Sequence, residues 1–422
     1  MMWIKILIAD DSPFMRNSLR RLFETGAPVH EPGVKVVGEA ASGKEVMAFL
    51  KAHTPVDPVD VVLLDMNMPE MDGLETTRAI MSTCPTPILL LTAADKTDPR
   101  VIQALTLGAV EMIQKPGGDE RSPHLRESRL EIMEKVTLVA KANTRMWNRR
   151  ALLPAQREQA RLEQAQPVMA QTPHSRMAES RTHACGAGSD GRTGSDGRTG
   201  SDGTHKKYDL ILIGASTGGP AALGEILSAL PHDFGIPVLI VQHIMEGYSE
   251  SLAEILQTKC ALPVREASTL VALEPGCVTI GKTGYHLEVT ASKNIRLTRR
   301  TGAPGTVATG THACGTAAAG THACGTAAAG ELNGFFMPSV DVLFESAAKN
   351  FDGAILGVIL TGMGNDGLQG CRALKAKGHT VIIQDKRSSV VWGMPGEVYK
   401  DGCYDRVLSL AEIAETLRRM KS

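Results

Sequence analysis

Short apolar runs alternate with amphipathic stretches through residues 1–145. A strand buried on both faces is apolar throughout, whereas a helix that covers a sheet is apolar on one face, so this alternation predicts a parallel sheet between helices. The predicted strands are Ile4–Ala9, Val34–Gly38, Val59–Leu64, Ile88–Leu91 and Val110–Ile113. The predicted helices are Phe14–Phe23, Gly43–Leu50, Gly73–Met81, Val101–Leu107 and Leu125–Ala142. Five such pairs predict one complete, doubly wound α/β domain.

The same rhythm returns at Tyr208 and continues to the end of the chain. Its strand-like runs are Leu210–Gly214, Val238–Gln242, Cys277–Ile280, Leu287–Thr290, Ile355–Leu360 and Thr380–Gln384. Residues 207–422 are therefore predicted to form a second α/β domain with a doubly wound parallel sheet.

Two low-complexity segments interrupt this pattern. Residues 146–206 contain Ser189-Asp-Gly-Arg-Thr-Gly, which is repeated from Ser195 and truncated at Ser201, and such a repeat predicts a flexible linker. A ten-residue Gly/Thr/Ala repeat begins at Gly310 and lies in a segment, 302–330, that we interpret as a loop inserted into the second domain.

Composition narrows the class of protein. The 422 residues are 43% hydrophobic and 22% charged with a formal net charge of -1, so no overall charge would recruit nucleic acid or an anionic membrane. No apolar run approaches the roughly 18 residues of a membrane helix, and no membrane insertion is expected. The eight cysteines form no disulfide framework, which favours a cytoplasmic location.

Acidic residues gather where the first domain's strands are predicted to end. Asp10 and Asp11 follow the first strand and Asp65 ends the third, while Thr92 ends the fourth and Lys115 follows the fifth. The carboxyl ends of parallel strands share one edge, and carboxylate oxygens there suit Mg²⁺. With an ammonium and a hydroxyl facing the same point, this set predicts an aspartate that accepts a phosphoryl group.

A second set of residues predicts a serine nucleophile. Gly214-Ala-Ser216-Thr-Gly218 matches the G-x-S-x-G turn that follows a strand and exposes a hydroxyl. His243 follows the next strand, and Asp366 lies in the turn after Ile355–Leu360. The ends of three strands of one sheet could thus supply a catalytic triad. Along the chain its residues come in the order Ser, His, Asp, whereas α/β-hydrolases have Ser, Asp, His.

Other motifs compete with that interpretation. Gly362–Gly367 also fits a dinucleotide fingerprint, with Asp385 about 20 residues on, although Asp366 would repel a pyrophosphate bound there. Gly276–Thr283 fits the P-loop pattern, but its strand-like middle favours a β-hairpin with the following residues. Three His-x-Cys pairs could bind Zn²⁺ but lie in low-complexity repeats, at 183/185, 312/314 and 322/324.

The acidic set resembles the receiver domain of two-component response regulators over residues 1–145. The resemblance rests on Asp10-Asp11, on Asp65-Met-Asn-Met-Pro-Glu-Met-Asp-Gly, on Thr92-Ala and on Lys115-Pro. It implies a flavodoxin-like fold in which Asp65 is phosphorylated and Mg²⁺ is held beside Asp10 by Asp11, Asp65 and the backbone of Asn67. Thr92 and Lys115 would sense the phosphoryl group.

Residues 207–420 resemble the catalytic domain of chemotaxis protein-glutamate methylesterases, a Rossmann-like three-layer fold. The motifs are Gly214-Ala-Ser-Thr-Gly-Gly, Gln242-His243, Pro338-Ser-Val-Asp-Val-Leu-Phe and Val358-Ile-Leu-Thr-Gly-Met-Gly-Asn-Asp-Gly. The resemblance implies a triad of Ser216, His243 and Asp366, with Thr217 and the backbone at Met363 assisting the oxyanion. No cofactor is expected in this domain.

Together the two resemblances imply a phosphorylation-activated serine hydrolase. It would remove methyl groups from glutamate γ-methyl esters of chemoreceptors and deamidate receptor glutamines, with a receptor-coupled histidine kinase as phosphodonor. We expect a monomer in which the unphosphorylated receiver docks over the Ser216 cleft. The alternative is a phosphorylation-dependent receptor-binding module without catalysis.

Overall fold

A computed structural model of the chain describes residues 3–24, 33–53, 58–92, 98–116, 123–142, 207–299 and 337–420. The predicted linker (146–206), the predicted loop insertion (302–330) and the three His-x-Cys pairs lie outside these residues.

Five parallel strands form the sheet of the N-terminal domain. They are β1 (Trp3–Ala9), β2 (Gly33–Ala40), β3 (Val61–Asp65), β4 (Ile88–Thr92) and β5 (Glu111–Gln114). The helices are α1 (Pro13–Glu24), α2 (Gly43–His53), α3 (Gly73–Thr83), α4 (Pro99–Leu107) and α5 (Pro123–Ala140). The strand order β2-β1-β3-β4-β5 confirms the flavodoxin-like prediction. β3 and β4 are buried at every residue, because helices cover both faces of the sheet.

The C-terminal domain contains two sheets. Its strands are β6 (Leu210–Ala215), β7 (Val238–Gln242), β8 (Val264–Glu266), β9 (Val271–Ala272), β10 (Val278–Ile280), β11 (His286–Val289), β12 (Asn294–Thr298), β13 (Ile355–Ile359), β14 (Thr380–Gln384) and β15 (Arg406–Leu408). Seven of them form a parallel sheet in the order β15-β14-β13-β6-β7-β10-β8, as predicted for a doubly wound domain. The other three form a small antiparallel sheet in the order β11-β12-β9.

Six helices of the C-terminal domain belong to the described residues. They are α6 (Gly219–Ser228), α7 (Ser249–Gln257), α8 (Val340–Asn350), α9 (Leu368–Ala376), α10 (Met394–Asp401) and α11 (Leu410–Arg418). Ser339 caps α8 by accepting a hydrogen bond from the Val342 N–H, and Ser409 forms a capping box with Glu412 at the start of α11. Such caps satisfy N–H groups that have no partner inside the helix.

The direction of the chain reverses between β6 and β13, which lie side by side in the large sheet. From β6 the chain proceeds to β7 on one side, whereas from β13 it proceeds to β14 on the other. Loops that leave two such strands diverge and open a crevice at the carboxyl edge, where parallel sheets place their sites. Ser216 follows β6, and Asp366 lies in the loop after β13.

The predicted β-hairpin over Gly276–Thr290 is wrong. Strand β10 lies inside the large sheet, parallel to β7 and β8, and β11 pairs instead with β12. The three residues of β10 are all buried, which suits an interior strand better than one arm of a surface hairpin. A P-loop would require a helix directly after Thr283, but the next element is β11.

The two domains pack together as one compact unit. Helix α4 of the N-terminal domain packs against α6 and α7 of the C-terminal domain. Both C-terminal helices follow the strand ends that carry Ser216 and His243, so the contact lies beside that edge of the sheet. Among the described residues, no helix is both long enough and apolar enough to cross a membrane.

Candidate functional site

The acidic residues of the N-terminal domain meet at the carboxyl edge of its sheet. Carboxylate oxygens of Asp10, Asp11 and Asp65 lie within 4.8 Å of one another. The Lys115 ammonium reaches in from the end of β5, 2.8 Å from Asp10 Oδ2 and 2.9 Å from Asp65 Oδ1. The structure thus brings together four of the residues predicted for this pocket, and its all-oxygen set fits a hard cation such as Mg²⁺.

Burial and ion pairing shift the pKa values of Asp65 and Lys115 in this pocket. Burial raises the pKa of Asp65, and the hydrogen bond and charge of Lys115 only partly oppose that effect. Burial alone would lower the pKa of Lys115, but the ion pairs with Asp10 and Asp65 outweigh it, so the lysine pKa is raised. A divalent cation among these carboxylates would favour the ionised form of Asp65.

Thr92 and Asn67 border the same pocket. The buried Thr92 hydroxyl donates to the Ile113 carbonyl of β5 at 3.3 Å. The Asn67 backbone N–H donates to the Asp65 carboxylate, and the Asn67 side-chain oxygen accepts from Arg100 Nη2 at 2.6 Å. Both residues therefore lie at the predicted edge of the sheet, with the Thr92 hydroxyl engaged by the neighbouring strand.

In the C-terminal domain, Ser216 begins a tight turn between β6 and α6. Its N–H donates to the Thr361 carbonyl at 3.0 Å, and its carbonyl accepts from the Gly219 N–H at 2.7 Å. Gly218 has a φ of 76°, a left-handed conformation that favours glycine, and it forms the N-cap of α6. This is the strand–turn–helix geometry that the G-x-S-x-G motif requires.

The side chain of Gln242 ties the Ser216 turn to His243. Its Nε2 donates to the Ser216 carbonyl at 2.9 Å and to the His243 carbonyl at 2.7 Å, and the side chain is buried. The His243 N–H in turn donates to the Ala215 carbonyl at 2.9 Å. A Cβ at Gly219 would lie 1.9 Å from Gln242 Oε1, so this bridge requires glycine there.

His243 and Asp366 form a buried pair. His243 Nε2 lies 2.7 Å from Asp366 Oδ2, and the two side chains are 6% and 9% exposed. Asp366 also accepts hydrogen bonds from the Ser339 hydroxyl and from the backbone N–H groups of Val340 and Asp341. Burial alone would raise the pKa of Asp366, but His243 and these donors outweigh it and lower the pKa, which keeps the carboxylate ionised.

The loop that carries Asp366 passes directly over Ser216. A Cβ at Gly362 would lie 2.7 Å from the Ser216 Cβ, so the approach requires glycine. Within the loop, Gly364 and Gly367 have φ values of 85° and 100°. The glycines of this motif thus let Asp366 turn inward to His243, and its carboxylate occupies the turn that a pyrophosphate would need.

Asp385, which the dinucleotide fingerprint would use for a ribose, has a local partner instead. Its Oδ1 accepts a hydrogen bond from the Ser388 N–H at 2.8 Å. This contact and the position of Asp366 favour a triad over a nucleotide site.

The two residues predicted to assist the oxyanion have different surroundings. The Met363 side chain is 52% exposed in the loop after β13. Thr217 is buried, and its hydroxyl donates to Glu111 Oε2 of the N-terminal domain at 2.7 Å. Because Thr217 directly follows Ser216, a carboxylate of the N-terminal domain lies at the edge of the Ser216 turn.

A second contact links the C-terminal domain to the acidic pocket. The buried Tyr248 hydroxyl is 3.5 Å from the Asp98 N–H and is hydrogen-bonded to the Thr92 side chain. Burial raises the pKa of this tyrosine, so the hydroxyl remains protonated. The residue predicted to sense a phosphoryl group is therefore in contact with the other domain.

Several of these residues were not predicted from the sequence. Ser339 was detectable, since a serine before an amphipathic run is a helix-cap signal. Asp341 follows it in the Pro338–Phe344 motif, but nothing local shows that an aspartate in a helix is buried. The Glu111–Thr217 and Asp98–Tyr248 contacts join residues at least 106 positions apart, and no periodicity predicts such pairs.

Comparison with known proteins gives the same two domains. A family model described as CheB methylesterase matches residues 211–417, and one described as response regulator receiver domain matches residues 6–124.

Similar proteins are found over the whole length of the chain. A protein-glutamate methylesterase/protein-glutamine glutaminase of group 1 operon from Pseudomonas putida is 33% identical over 99% of both chains. A protein-glutamate methylesterase/protein-glutamine glutaminase from Alkalilimnicola ehrlichii is 34% identical over 100% of both. The crystal structure of the Thermotoga maritima CheB methylesterase catalytic domain is 32% identical, covers 50% of this chain and 98% of its own, and has a TM-score of 0.41. The chain therefore belongs to the family of protein-glutamate methylesterases/protein-glutamine glutaminases, with a response regulator receiver domain ahead of the CheB methylesterase domain.

Proposed function

We propose that this chain is a phosphorylation-activated serine hydrolase of chemoreceptors. It removes the methyl group from glutamate γ-methyl esters and deamidates glutamine side chains, which adapts chemotaxis signalling. The observation that carries the proposal is the buried 2.7 Å pair of His243 and Asp366 beside the Ser216 turn. Nucleophile, base and acid come from three strand ends at one edge of the sheet.

Ser216 attacks the ester carbonyl, and His243 removes the proton from its hydroxyl. Because His243 Nε2 donates to Asp366, Nδ1 is the nitrogen that takes this proton. The ionised Asp366 fixes the tautomer and stabilises the imidazolium that forms. The tetrahedral intermediate then collapses, the proton passes to the leaving oxygen, and methanol departs.

Stabilisation of the oxyanion falls to the two segments that flank Ser216. The Thr217 residue and the backbone at Met363 lie in the turn after β6 and in the loop after β13, and we assign them this role. One well-placed donor contributes about 3 kcal/mol to an acyl transfer. Water then hydrolyses the acyl-enzyme with His243 as base, and glutamine follows the same course with ammonia as the leaving group.

Control by the receiver domain follows from the Glu111–Thr217 contact. While this bond holds the Thr217 hydroxyl, the N-terminal domain covers the edge of the nucleophile turn. Phosphorylation of Asp65 introduces an anion, toward which Lys115 and the Thr92 hydroxyl reorient. Since Thr92 is also bonded to Tyr248, its reorientation weakens the docked arrangement and opens the cleft.

The receiver's phosphorylation requires Mg²⁺, and the residues to hold it are Asp11, Asp65 and the backbone of Asn67, with Asp10 beside them. Their carboxylate oxygens lie within 4.8 Å of one another, which fits one small divalent cation. The bound ion would neutralise phosphoryl oxygens during transfer. A receptor-coupled histidine kinase is the phosphodonor, and the enzyme acts as a monomer on the cytoplasmic helices of the receptors.

The decisive experiment measures methanol release from methylated receptor membranes, with and without a small phosphodonor and Mg²⁺. Wild-type enzyme should release methanol faster with both present. Ser216→Ala should lower the rate at least about a thousandfold, because removal of a triad nucleophile leaves only binding and oxyanion stabilisation. Ser228→Ala, at an exposed serine of α6 whose hydroxyl donates to the Glu225 carbonyl of the same helix, is the matched control and should be as fast as wild type.

The outcome separates an enzyme from a receptor-binding module. If Ser216→Ala still demethylates receptors at the wild-type rate, the serine hydrolase mechanism is wrong. If wild-type enzyme releases no methanol but binds receptors when phosphorylated, the second domain is a binding module.

A further inference from the structure

A second buried carboxylate, Asp341, lies beside the triad and has no part in the mechanism above. It stands near the start of α8 and is 4% exposed. Its Oδ1 accepts hydrogen bonds from the Gly367 N–H at 2.9 Å and from the Gly370 N–H at 2.8 Å. Its own N–H donates to Asp366 Oδ1 at 2.9 Å. One residue thus contacts both the triad acid and the segment that follows it.

These bonds make Asp341 the N-terminal cap of another helix. Helix α9 begins after Gly367, which has no side chain to cap it. The first N–H groups of a helix lack partners within it, and an anion there is also favoured by the helix dipole. Asp341 supplies the missing acceptor from α8.

The capped helix start is one end of the loop that forms the site. That loop, residues 361–367, carries Met363 and Asp366 and passes over Ser216. At its other end, the Thr361 carbonyl accepts from the Ser216 N–H, and the Thr361 hydroxyl donates to the Thr217 carbonyl at 3.0 Å. Both ends of a glycine-containing loop are therefore fastened to the catalytic region by polar contacts.

A structural role alone explains this arrangement poorly. Two carboxylates so close to each other repel, and an apolar residue in α8 would avoid that repulsion. Unlike an apolar residue, Asp341 provides a hydrogen-bond acceptor, which binds two backbone N–H groups in the segment that follows Asp366.

We propose that Asp341 is a positioning residue of the esterase, and that its carboxylate holds loop 361–367 so that Asp366 and the Met363 backbone keep their places beside His243 and Ser216. This inference rests on the proposed function. It predicts that loss of the Asp341 acceptor slows the chemical step and leaves substrate binding unchanged, because the side chain is buried and its carboxylate bonds to the backbone of Gly367 and Gly370.

The test compares variants of the full chain, activated by phosphodonor and Mg²⁺, in the methanol-release assay. Asp341→Ala should lower kcat about 10- to 100-fold and change KM less than twofold, as expected when a triad group is misplaced by a fraction of an ångström. Asp341→Asn keeps an acceptor oxygen at the same position and should recover kcat to within about threefold of wild type. Ser409→Ala removes the cap of a different helix, α11, and should leave kcat unchanged.

Three results would overturn the proposal: a wild-type kcat in Asp341→Ala, an equal loss of kcat in Ser409→Ala, or an Asp341→Asn variant as slow as Asp341→Ala. If Asp341→Ala does not fold, Asp341→Ser replaces it, since its hydroxyl is one bond shorter and cannot bridge both glycine N–H groups. A failure of the proposed function can be distinguished from these results. In that case the wild-type enzyme would release no methanol, and every variant would have the same rate as Ser216→Ala.

Discussion

Asp366 accepts hydrogen bonds from the His243 ring, the Ser339 hydroxyl and the N–H groups of Val340 and Asp341. A buried carboxylate is costly to ionise unless it is well solvated by the protein. The start of α8 provides that solvation with two backbone donors and one hydroxyl, and the helix dipole adds to it. The Asp366 carboxylate is thus kept charged by a helix terminus, as its proposed role beside His243 requires.

Asp341 has the opposite electrostatic environment. Burial and the nearby charge of Asp366 raise its pKa to about 7, with a further contribution from Glu345 of the same helix. From α9, Cys371 and the exposed Arg372 also lie within its electrostatic reach. The folded chain therefore holds a proton at this site at mild pH that the unfolded chain releases near pH 4.

The sign of the pH dependence of the unfolding free energy follows from the difference in proton binding between the folded and unfolded states. Between about pH 4 and 7 the folded state binds the extra proton, so the Asp341 contribution to stability falls as pH rises. Asp341→Asn lacks this site, and its free energy of unfolding relative to wild type should increase by on the order of 2 kcal/mol from pH 5 to pH 8. Urea unfolding of both proteins at the two pH values measures this, and a difference independent of pH would contradict it.

At the scale of elements, the two domains meet through helix starts. Asp98 is the N-cap of α4 and Tyr248 is the N-cap of α7, and the hydroxyl of Tyr248 reaches the Asp98 N–H and the Thr92 side chain. Arg100, in the first turn of α4, also binds Asn67 and Asp98. Helix α4 therefore links the acidic pocket to the surface against which the C-terminal domain packs.

Tyr248→Phe should weaken this docking and leave the packing of the ring intact. Loss of one buried hydroxyl with its hydrogen bonds changes a two-state equilibrium by about 0.5–1.5 kcal/mol, so the unphosphorylated methanol-release rate should rise roughly two- to tenfold. The rate with phosphodonor should change little, because the open form already predominates. Tyr399→Phe, at a half-exposed tyrosine of α10, is the control. An unchanged basal rate in Tyr248→Phe would exclude this contact from the control of activity.

The elements of the fold were largely predictable, and their pairing was less so. Periodicity identified the strands that are buried on both faces, such as Val61–Asp65 and Val238–Gln242, because such runs are apolar throughout. The three-residue strand Val278–Ile280 was found, but its partners were not, since three residues carry no register signal. The strands Val271–Ala272 and Arg406–Leu408 are too short and too exposed for a periodic pattern.

The site residues likewise fall into those that could be predicted from the sequence and those that could not. Asp65, Ser216, His243 and Asp366 follow strands, and strand ends converge by topology, so their approach could be predicted from order alone. Glu111, Asp341 and Tyr248 act through contacts between elements that are remote in sequence. No spacing rule brings such residues together, because the contacts depend on how helices and domains pack.

At the scale of the whole molecule, the proposed control by the receiver domain acts on a site whose residues all belong to the C-terminal domain. The Ser216 turn, the Gln242 bridge and the His243–Asp366 pair are built entirely from residues of the C-terminal domain. From the other domain, the Glu111 carboxylate contacts the edge of the turn.

A fragment of residues 207–422 should therefore be active without phosphorylation. We expect its methanol-release rate to exceed that of the unphosphorylated full chain by about 5- to 30-fold, the shift given by about 1–2 kcal/mol of docking free energy. Phosphodonor should not change the fragment's rate, and Asp65→Asn in the full chain should remove the response there. A fragment as slow as the unphosphorylated full chain would contradict inhibition by docking.

The Glu111–Thr217 bond also has a consequence for where in the cell the enzyme becomes active. In the proposed mechanism a receptor ester that enters the cleft displaces Glu111, so substrate occupancy and docking exclude each other. Coupling between two binding events is reciprocal, and a phosphoryl group that promotes substrate binding is itself favoured by bound substrate to the same degree. At equilibrium, an enzyme molecule seated on a methylated receptor should thus favour its phosphorylated form more than one in free solution. Adaptation would then act first on the receptors that carry the most methyl groups.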